Sequence, residues 1–215
     1  MGEQHHTKTT VIFDFDGTLV DVLSIFVNVT NDLAKEYRYA PIQPEEINTL
    51  RNFSARELIH SRLHVPFWRL WVFARKARAG YKERLDEVRL FPGIKDTIDS
   101  LRESGYRIGI VSSNTTENIT AYMKQSGISV DFIYTGNIFG KSRTLDKALS
   151  KEHLDPAEVI YVGDEVRDVE ACQKCNLDII AVTWGLNSQT VLQNTGATTV
   201  DTQAALLHQL LSYRT

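Results

Sequence analysis

The chain has little cysteine: two residues in 215, Cys172 and Cys175. Two thiols three positions apart cannot form the disulfide framework of a small secreted domain. No apolar run approaches the roughly 20 residues that cross a bilayer, and the polar start, Met1 to Thr10, does not read as a signal peptide. Charge of one sign is not in excess. Twenty-four basic residues against 27 acidic ones leave a net charge of −3, which gives no electrostatic drive toward nucleic acid or an anionic membrane. Internal repeats and low-complexity linkers are missing too. With 42% hydrophobic and 24% charged residues, the composition is that of a globular protein: one large domain, or a main domain with a modest insert. The expectation is a soluble, cytoplasmic protein.

What is present is an alternation of short apolar runs with helix-like stretches. Strands are expected at Thr10–Phe15, Tyr106–Val111, Val130–Tyr134, Val159–Val162, Ile179–Thr183 and Thr198–Asp201. Their apolar residues run on without alternating, as in strands buried on both faces. Helices are expected at Ile94–Ser104, Thr116–Ser126, Arg143–Glu152, Val166–Cys175 and Thr202–Ser212, the first two ended by Gly105 and Gly127. Strand, helix and strand joined by short connections imply an α/β fold with a doubly wound parallel sheet. Residues 20–89 break the pattern. Val22, Ile25, Phe26, Val29, Leu33 and Tyr37 share one helical face, Ser54-Ala55-Arg56-Glu57 reads as a capping box, and Pro66 would open a third helix through Trp68, Leu70, Trp71 and Tyr81. The expected organisation is therefore a core over 8–19 and 90–215, with a small all-helical subdomain inserted at 20–89.

Ligands of open α/β sheets bind at the carboxyl ends of the strands. Those ends carry Asp14 and Asp16, followed by Gly17-Thr18; Ser112; and Asp164, with Asp168 one helical turn on. Lys141 falls in the loop region after the third strand. Four converging carboxylates would repel one another unless compensated, and Mg²⁺ suits an all-oxygen ligand set. A dication beside a lysine attracts a dianion, of which a phosphoryl group is the commonest. Asp14 would then attack phosphorus as nucleophile, and Asp16 would protonate the departing oxygen and later deprotonate water. Gly17 would let the backbone pass closely beneath the phosphate. Ser112 would donate to it, and Lys141 would offset its charge.

Asp14-Phe15-Asp16-Gly17-Thr18-Leu19-Val20-Asp21 resembles the first motif of the haloacid dehalogenase superfamily, DxDGT[LV]xD. Ile108–Asn114, ending in Ser112-Ser113-Asn114, resembles the second; Lys141 resembles the third-motif lysine; and Gly163-Asp164-Glu165-Val166-Arg167-Asp168 matches the fourth, GDxxxD. The layout is most similar to phosphoglycolate-phosphatase-like members with a helical cap after the first motif. The resemblance implies a Rossmann-like core and a phosphatase of a small phosphorylated metabolite, a monomer or homodimer. It makes Asp14 the nucleophile, Asp16 the general acid/base, and Gly17, Ser112, Ser113 and Lys141 the phosphate contacts. It implies Mg²⁺ held by Asp14, the Asp16 main-chain carbonyl and Asp164, with Asp168 supporting the metal end. Two departures stand out. Ser142-Arg143 follows Lys141 where relatives often have proline, which leaves Lys147 and Lys151 as neighbouring rivals. Asn176 stands where a glycine is common, and asparagine tolerates the left-handed conformation a glycine would take.

Plainer readings stand beside these. The Asp14–Asp16 pair could cap a turn, Ser112 could be a satisfied strand-end hydroxyl, and Asp168 a surface acid. Cys172 and Cys175, inside an expected helix, read as packing rather than a redox or zinc pair, and His5 and His6 as a terminus without a role. From Arg51 to Arg89 ten Lys or Arg oppose four Asp or Glu. One or two of these cations would meet an anionic leaving group, and the rest would lie on a solvated face. Phe67, Trp68, Trp71 and Phe73 are expected to pack mostly between the inserted helices, with one or two lining a substrate cavity or a subunit contact. Rival functions are a phosphosugar mutase using the same aspartyl-phosphate, a dehalogenase, to which an acid at position 16 would be superfluous, and a catalytically silent binding module of the same fold.

Overall fold

The computed structural model describes residues 7–54, 57–137 and 140–214. His5, His6, Ala55 and Arg56 lie outside the described residues. Six parallel strands form the main sheet: β1 (Thr10–Phe13), β4 (Arg107–Ser112), β5 (Phe132–Thr135), β6 (Val159–Gly163), β7 (Asp178–Val182) and β8 (Thr198–Val200). Their order is β5-β4-β1-β6-β7-β8. The chain builds one half outward from β1 through β4 to β5, then crosses to β6 and builds the other. The β1 strand is the switch point between the halves, where such sheets leave a crevice.

Alternation along β1 decides what meets what. Val11 and Phe13 enter one cluster with Ile94, Ile98 and Leu101 of α4 (Ile94–Glu103), Ile119 and Met123 of α5 (Thr116–Ser126), and Leu206 and Leu210 of α9 (Gln203–Ser212). Ile12 enters the opposite cluster with Leu145, Ala148 and Leu149 of α6 (Lys141–Glu152) and Ala171 and Cys172 of α7 (Val166–Lys174). The sheet is thus covered on both faces, and its central strands read as unbroken apolar runs for that reason. Gly105 and Gly127 take positive φ (81° and 67°) after α4 and α5, and Asn176 takes φ 53° after α7, as expected of a residue that tolerates the left-handed region.

Residues 20–89 enter and leave through a two-stranded antiparallel ribbon not foreseen from sequence, β2 (Val20–Asp21) paired with β3 (Arg89–Leu90). Between them run α1 (Leu23–Tyr37), the short α2 (Ile47–Leu50), a π turn (Leu58–Arg62) and α3 (Leu70–Lys82), which a 3₁₀ turn at Phe67–Arg69 precedes after Pro66. Ser54 and Glu57 exchange the expected reciprocal bonds: the Ser54 N–H donates to Glu57 Oε2 (2.8 Å) and the Glu57 N–H to Ser54 Oγ (3.3 Å). The inserted segment has a small core of its own, in which Tyr37 and Phe73 meet edge to face at 5.1 Å. One expectation fails here. Phe67, Trp68 and Trp71 are 78%, 70% and 73% exposed, and only Phe73 of that group is buried. Phe67 and Trp68 meet edge to face at 5.2 Å and Arg75 lies over the Trp71 ring at 5.5 Å, contacts that leave all three rings largely in solvent. Among the described residues no helix is long and apolar enough to cross a membrane. The remaining helix, α8 (Gln189–Asn194), lies between β7 and β8 and was also not foreseen.

Candidate active site

The β1 strand stops at Phe13, two residues short of the expected end, but the Asp14 N–H still donates to Val162 O (2.8 Å). Asp14 therefore continues the face of Ile12 and points toward α6 and α7. There its Oδ2 meets Lys141 Nζ, and its Oδ1 accepts the Phe15 N–H (2.7 Å). Lys141 does not sit in a loop as expected. It is the first residue of α6, which Gly140 precedes, and it is buried. Its ammonium bridges Asp14 and Asp168. Burial works against that charge, yet the two carboxylates outweigh it and hold the Lys141 pKa above the usual lysine range.

Asp168 is fully buried, the third residue of α7, with its Oδ2 accepting the N–H groups of Asp164 and Glu165 (3.1 Å each). This capping box fixes the turn that carries Asp164. Asp164 in turn receives the Thr18 hydroxyl on Oδ1 (2.8 Å) and the Leu186 N–H on Oδ2 (2.7 Å). Ligand atoms of Asp14, Asp164 and Asp168 lie within 4.8 Å of one another. Burial, and then the charges of Glu165, Asp168 and Asp14, push the Asp164 carboxyl well above its ordinary pKa. These three carboxylates could together hold a hard cation, which would offset their crowding.

The backbone leaves no room for larger residues here. A Cβ on Gly17 (φ 81°) would lie 2.1 Å from Asp164 Oδ2, and one on Gly185 would lie 2.3 Å from the same atom. Both positions bring main chain against the carboxylate, and the Gly17 conformation is one that side chains resist.

Asp16 faces the other way. Its carboxylate accepts the Tyr81 hydroxyl from α3 (2.6 Å) and the Asn114 amide (3.0 Å). Burial raises its pKa to about 6, the Asp14 charge adds to the rise, and the Tyr81 and Asn114 bonds oppose it. Ser112 ends β4 beside this turn, two residues past the Phe13–Ile110 register pair, with its Oγ accepting the Asn114 N–H (3.2 Å). Ser113 stands further out: its Oγ contacts Arg167 Nη1 (3.5 Å) and its carbonyl accepts from Arg78 of the insert (3.4 Å). The sequence thus located Asp14, Lys141, Asp164 and Asp168, which converge, and Asp16, Gly17 and Ser112 beside them. Lys147 and Lys151 have no place in this arrangement. Cys172 and Cys175 are free and lie in the α6–α7 packing, their thiols pushed up by burial, Cys175 to about 12. That leaves them inert.

Three features of the site were missed. Tyr81 was read only as part of a helical face, Asn114 only as the end of a motif, and the loop after β7 not at all. That loop is held by the insert: Arg51 Nη2 donates to the carbonyls of Thr183 (2.8 Å) and Gly185 (2.9 Å), and Asn187 Nδ2 donates back to Phe53 O (2.8 Å). Its position at a strand's carboxyl end was the available signal. Above Asp16 a cavity of about 230 Å³ opens between core and insert.

Comparison with known proteins agrees with this geometry. The family described as haloacid dehalogenase-like hydrolase matches residues 11–182. The phosphoglycolate phosphatase of Synechococcus elongatus is 37% identical over 182 residues, 83% of this chain and 85% of that protein. The pyrophosphatase PpaX of Bacillus velezensis is 27% identical, over 86% of this chain and 87% of its own. Among solved structures, a predicted phosphatase from Clostridium acetobutylicum superposes with a TM-score of 0.84 at 21% identity, covering 96% of this chain and all of the other. The chain belongs to the haloacid dehalogenase-like hydrolases.

Proposed function

We propose that the protein is a Mg²⁺-dependent phosphatase that hydrolyses a small phosphorylated metabolite through an aspartyl-phosphate on Asp14. The observation that carries this reading is the division of labour between two aspartates two residues apart. Asp14 lies in the charged cluster with Lys141, while Asp16 lies outside it with a pKa near neutrality, about 6. Asp14, the Asp16 main-chain carbonyl and Asp164 would hold the ion, with Asp168 fixing the turn beneath them. When bound, Mg²⁺ would neutralise part of the phosphoryl charge and keep Asp14 ionised.

In this mechanism an Asp14 carboxylate oxygen bonds to phosphorus and the ester P–O bond breaks. The proton on Asp16 passes to the departing alcohol oxygen. Asp16, now ionised, takes a proton from water as that water attacks the phosphorus of the aspartyl-phosphate. Inorganic phosphate leaves, and Asp14 is restored. Lys141 and the hydroxyl of Ser112 hold the phosphoryl oxygens, with Ser113 and the Gly17 backbone beside them.

Residues 20–89 serve as a cap that admits substrate and then excludes water, over a core of 8–19 and 90–215. Tyr81, Arg78, Arg51 and Phe53 are among its contacts with the core rim. The kinship with phosphoglycolate phosphatases and a pyrophosphatase makes a phosphate ester or anhydride the substrate to test first. Phosphate release from a panel of such compounds, with Mg²⁺ and then with excess chelator, tests the proposal. Chelator-sensitive release is expected; release that chelator leaves untouched contradicts it.

A further inference from the structure

The cavity above Asp16 has two unlike ends. Near Asp16 its wall is polar, with Asn114, Ser113 and Arg167. Away from Asp16 the wall is hydrocarbon: Leu23, Phe26 and Val27 from α1, Leu50 from α2, and Leu70 and Phe73 from α3. Its volume of about 230 Å³ would hold roughly seven groups the size of a liquid water, at about 30 Å³ each. A two-carbon acid fills a fraction of that. Packed protein interiors keep few voids larger than a water, and ligand pockets are concave, mainly apolar, and provided with a few convergent polar groups.

Among the described residues, the ion-paired cations of the insert lie away from this space. Arg62 pairs with Glu46, Lys76 and Arg69 with Glu36, and Arg84 with Asp32, and none of these four lines the cavity. Arg51 lines it beside the β7 loop, with Nη2 on backbone carbonyls of that loop and a buried Nε that has no partner among the described residues. Arg78 also lines it and donates to the Ser113 carbonyl (3.4 Å). A second carboxylate or phosphate lodged among Leu23, Phe26 and Phe73 would be desolvated without a partner.

We infer that the substrate is a phosphomonoester whose alcohol carries a hydrocarbon portion of about six carbons, lying between α1 and α3 while the phosphate sits over Asp14. This rests on the phosphatase reading and deepens it by naming the substrate class. A methylene moved from water into such a wall is worth roughly fourfold in binding, so the chain length of the leaving group becomes the readout.

Two series test it with the full-length protein and Mg²⁺. In the first, kcat/KM for ethyl, butyl and hexyl phosphate is compared with that for phosphoglycolate. In the second, binding of ethyl and hexyl phosphonate, which cannot be hydrolysed, is measured by calorimetry. Expected are a rise of about threefold to fourfold per methylene in both series, hexyl phosphate exceeding phosphoglycolate, and a loss of most of that dependence in Phe26→Gln. Phe26 is 37% exposed, so this change leaves the fold intact, and an unchanged melting temperature checks it. A flat alkyl series with phosphoglycolate as the best substrate overturns the inference and leaves the phosphatase standing. Phosphonate affinity that climbs with length while no ester is hydrolysed supports the pocket and overturns the phosphatase. Flat phosphonate affinity overturns the pocket whatever the turnover.

Discussion

Two regions of the molecule face each other across Asp16, and they are built on different principles. Below it, on the strand ends, nearly every polar atom is fixed more than once. Asp164 takes a hydroxyl and an amide, Asp168 takes two amides and a lysine, and Gly17 and Gly185 press their backbones against the Asp164 carboxylate. Above it, the far wall of the cavity, with Leu23, Phe26, Leu50 and Phe73, is made of apolar side chains that meet only by packing. The lower region can change little without losing its geometry, whereas the upper can exchange one apolar residue for another at small cost. Chemistry held by backbone and specificity held by replaceable side chains is how one fold serves many substrates.

The largest effect belongs to the lower region. Asp14→Asn keeps the shape of the side chain and removes its nucleophilic charge. Turnover of any phosphate ester should fall by about 10⁴-fold or more, with the circular dichroism spectrum unchanged. Full activity in this variant would remove the nucleophile from the account.

Asp16→Asn should lower kcat about 10²- to 10⁴-fold for alkyl esters, and less for p-nitrophenyl phosphate, whose leaving group needs no proton. The same change bears on stability. Because burial raises the folded-state pKa of Asp16 to about 6, the native protein holds that proton more tightly than the unfolded chain. The neutral form contributes its stability below about pH 4, and that contribution is lost as pH rises through about 6. In chelator, the melting temperature of Asp16→Asn should exceed wild type at pH 7.5, and the gap should close by pH 4. A variant less stable than wild type at pH 7.5 would contradict the burial of the charge.

Lys141→Met leaves Asp14 and Asp168 facing each other without their shared cation. A loss of about 3–5 kcal/mol is expected, read by urea denaturation at pH 7 and partly restored by millimolar Mg²⁺. Indifference to both the substitution and the ion would break the electrostatic half of the comparison.

How much of this was legible in the sequence differs between the same two regions. The strand ends declared themselves, because Asp14 and Asp164 follow directly on unbroken apolar runs and Asp168 lies one helical turn beyond Asp164. Lys141 was identified but placed in a loop: nothing in Gly140-Lys141-Ser142 announces a helix start, since no side chain there caps it. Tyr81 was invisible as a site residue. Its hydroxyl reaches Asp16 across 65 residues of chain, and helical periodicity reports only which face is buried, not what that face meets. The β2–β3 ribbon escaped notice because two residues on each strand carry no pattern. The exposed Phe67, Trp68 and Trp71 show the reverse failure, hydrophobicity without a burial partner.

Smaller effects sharpen the boundary between the regions. Tyr81→Phe deletes a donor to Asp16, a bond that lowers the Asp16 pKa. The Asp16-dependent limb of the kcat profile should therefore move to higher pH, with kcat down by severalfold and melting within a few degrees of wild type. A profile that stays in place would make Tyr81 a packing residue only. Trp68→Ser, on the exposed tip of the insert, should change stability by less than about 0.5 kcal/mol and leave kcat/KM as it is.

The central claim is that phosphorus passes through the Asp14 carboxylate. The direct measurement is rapid acid quench of the enzyme during turnover of a radiolabelled phosphomonoester, followed by peptide mapping of the trapped label. The account predicts an acid-stable, base-labile label on the peptide containing Asp14, formed and discharged at rates no slower than kcat. Sustained turnover in which no label reaches that peptide would contradict it.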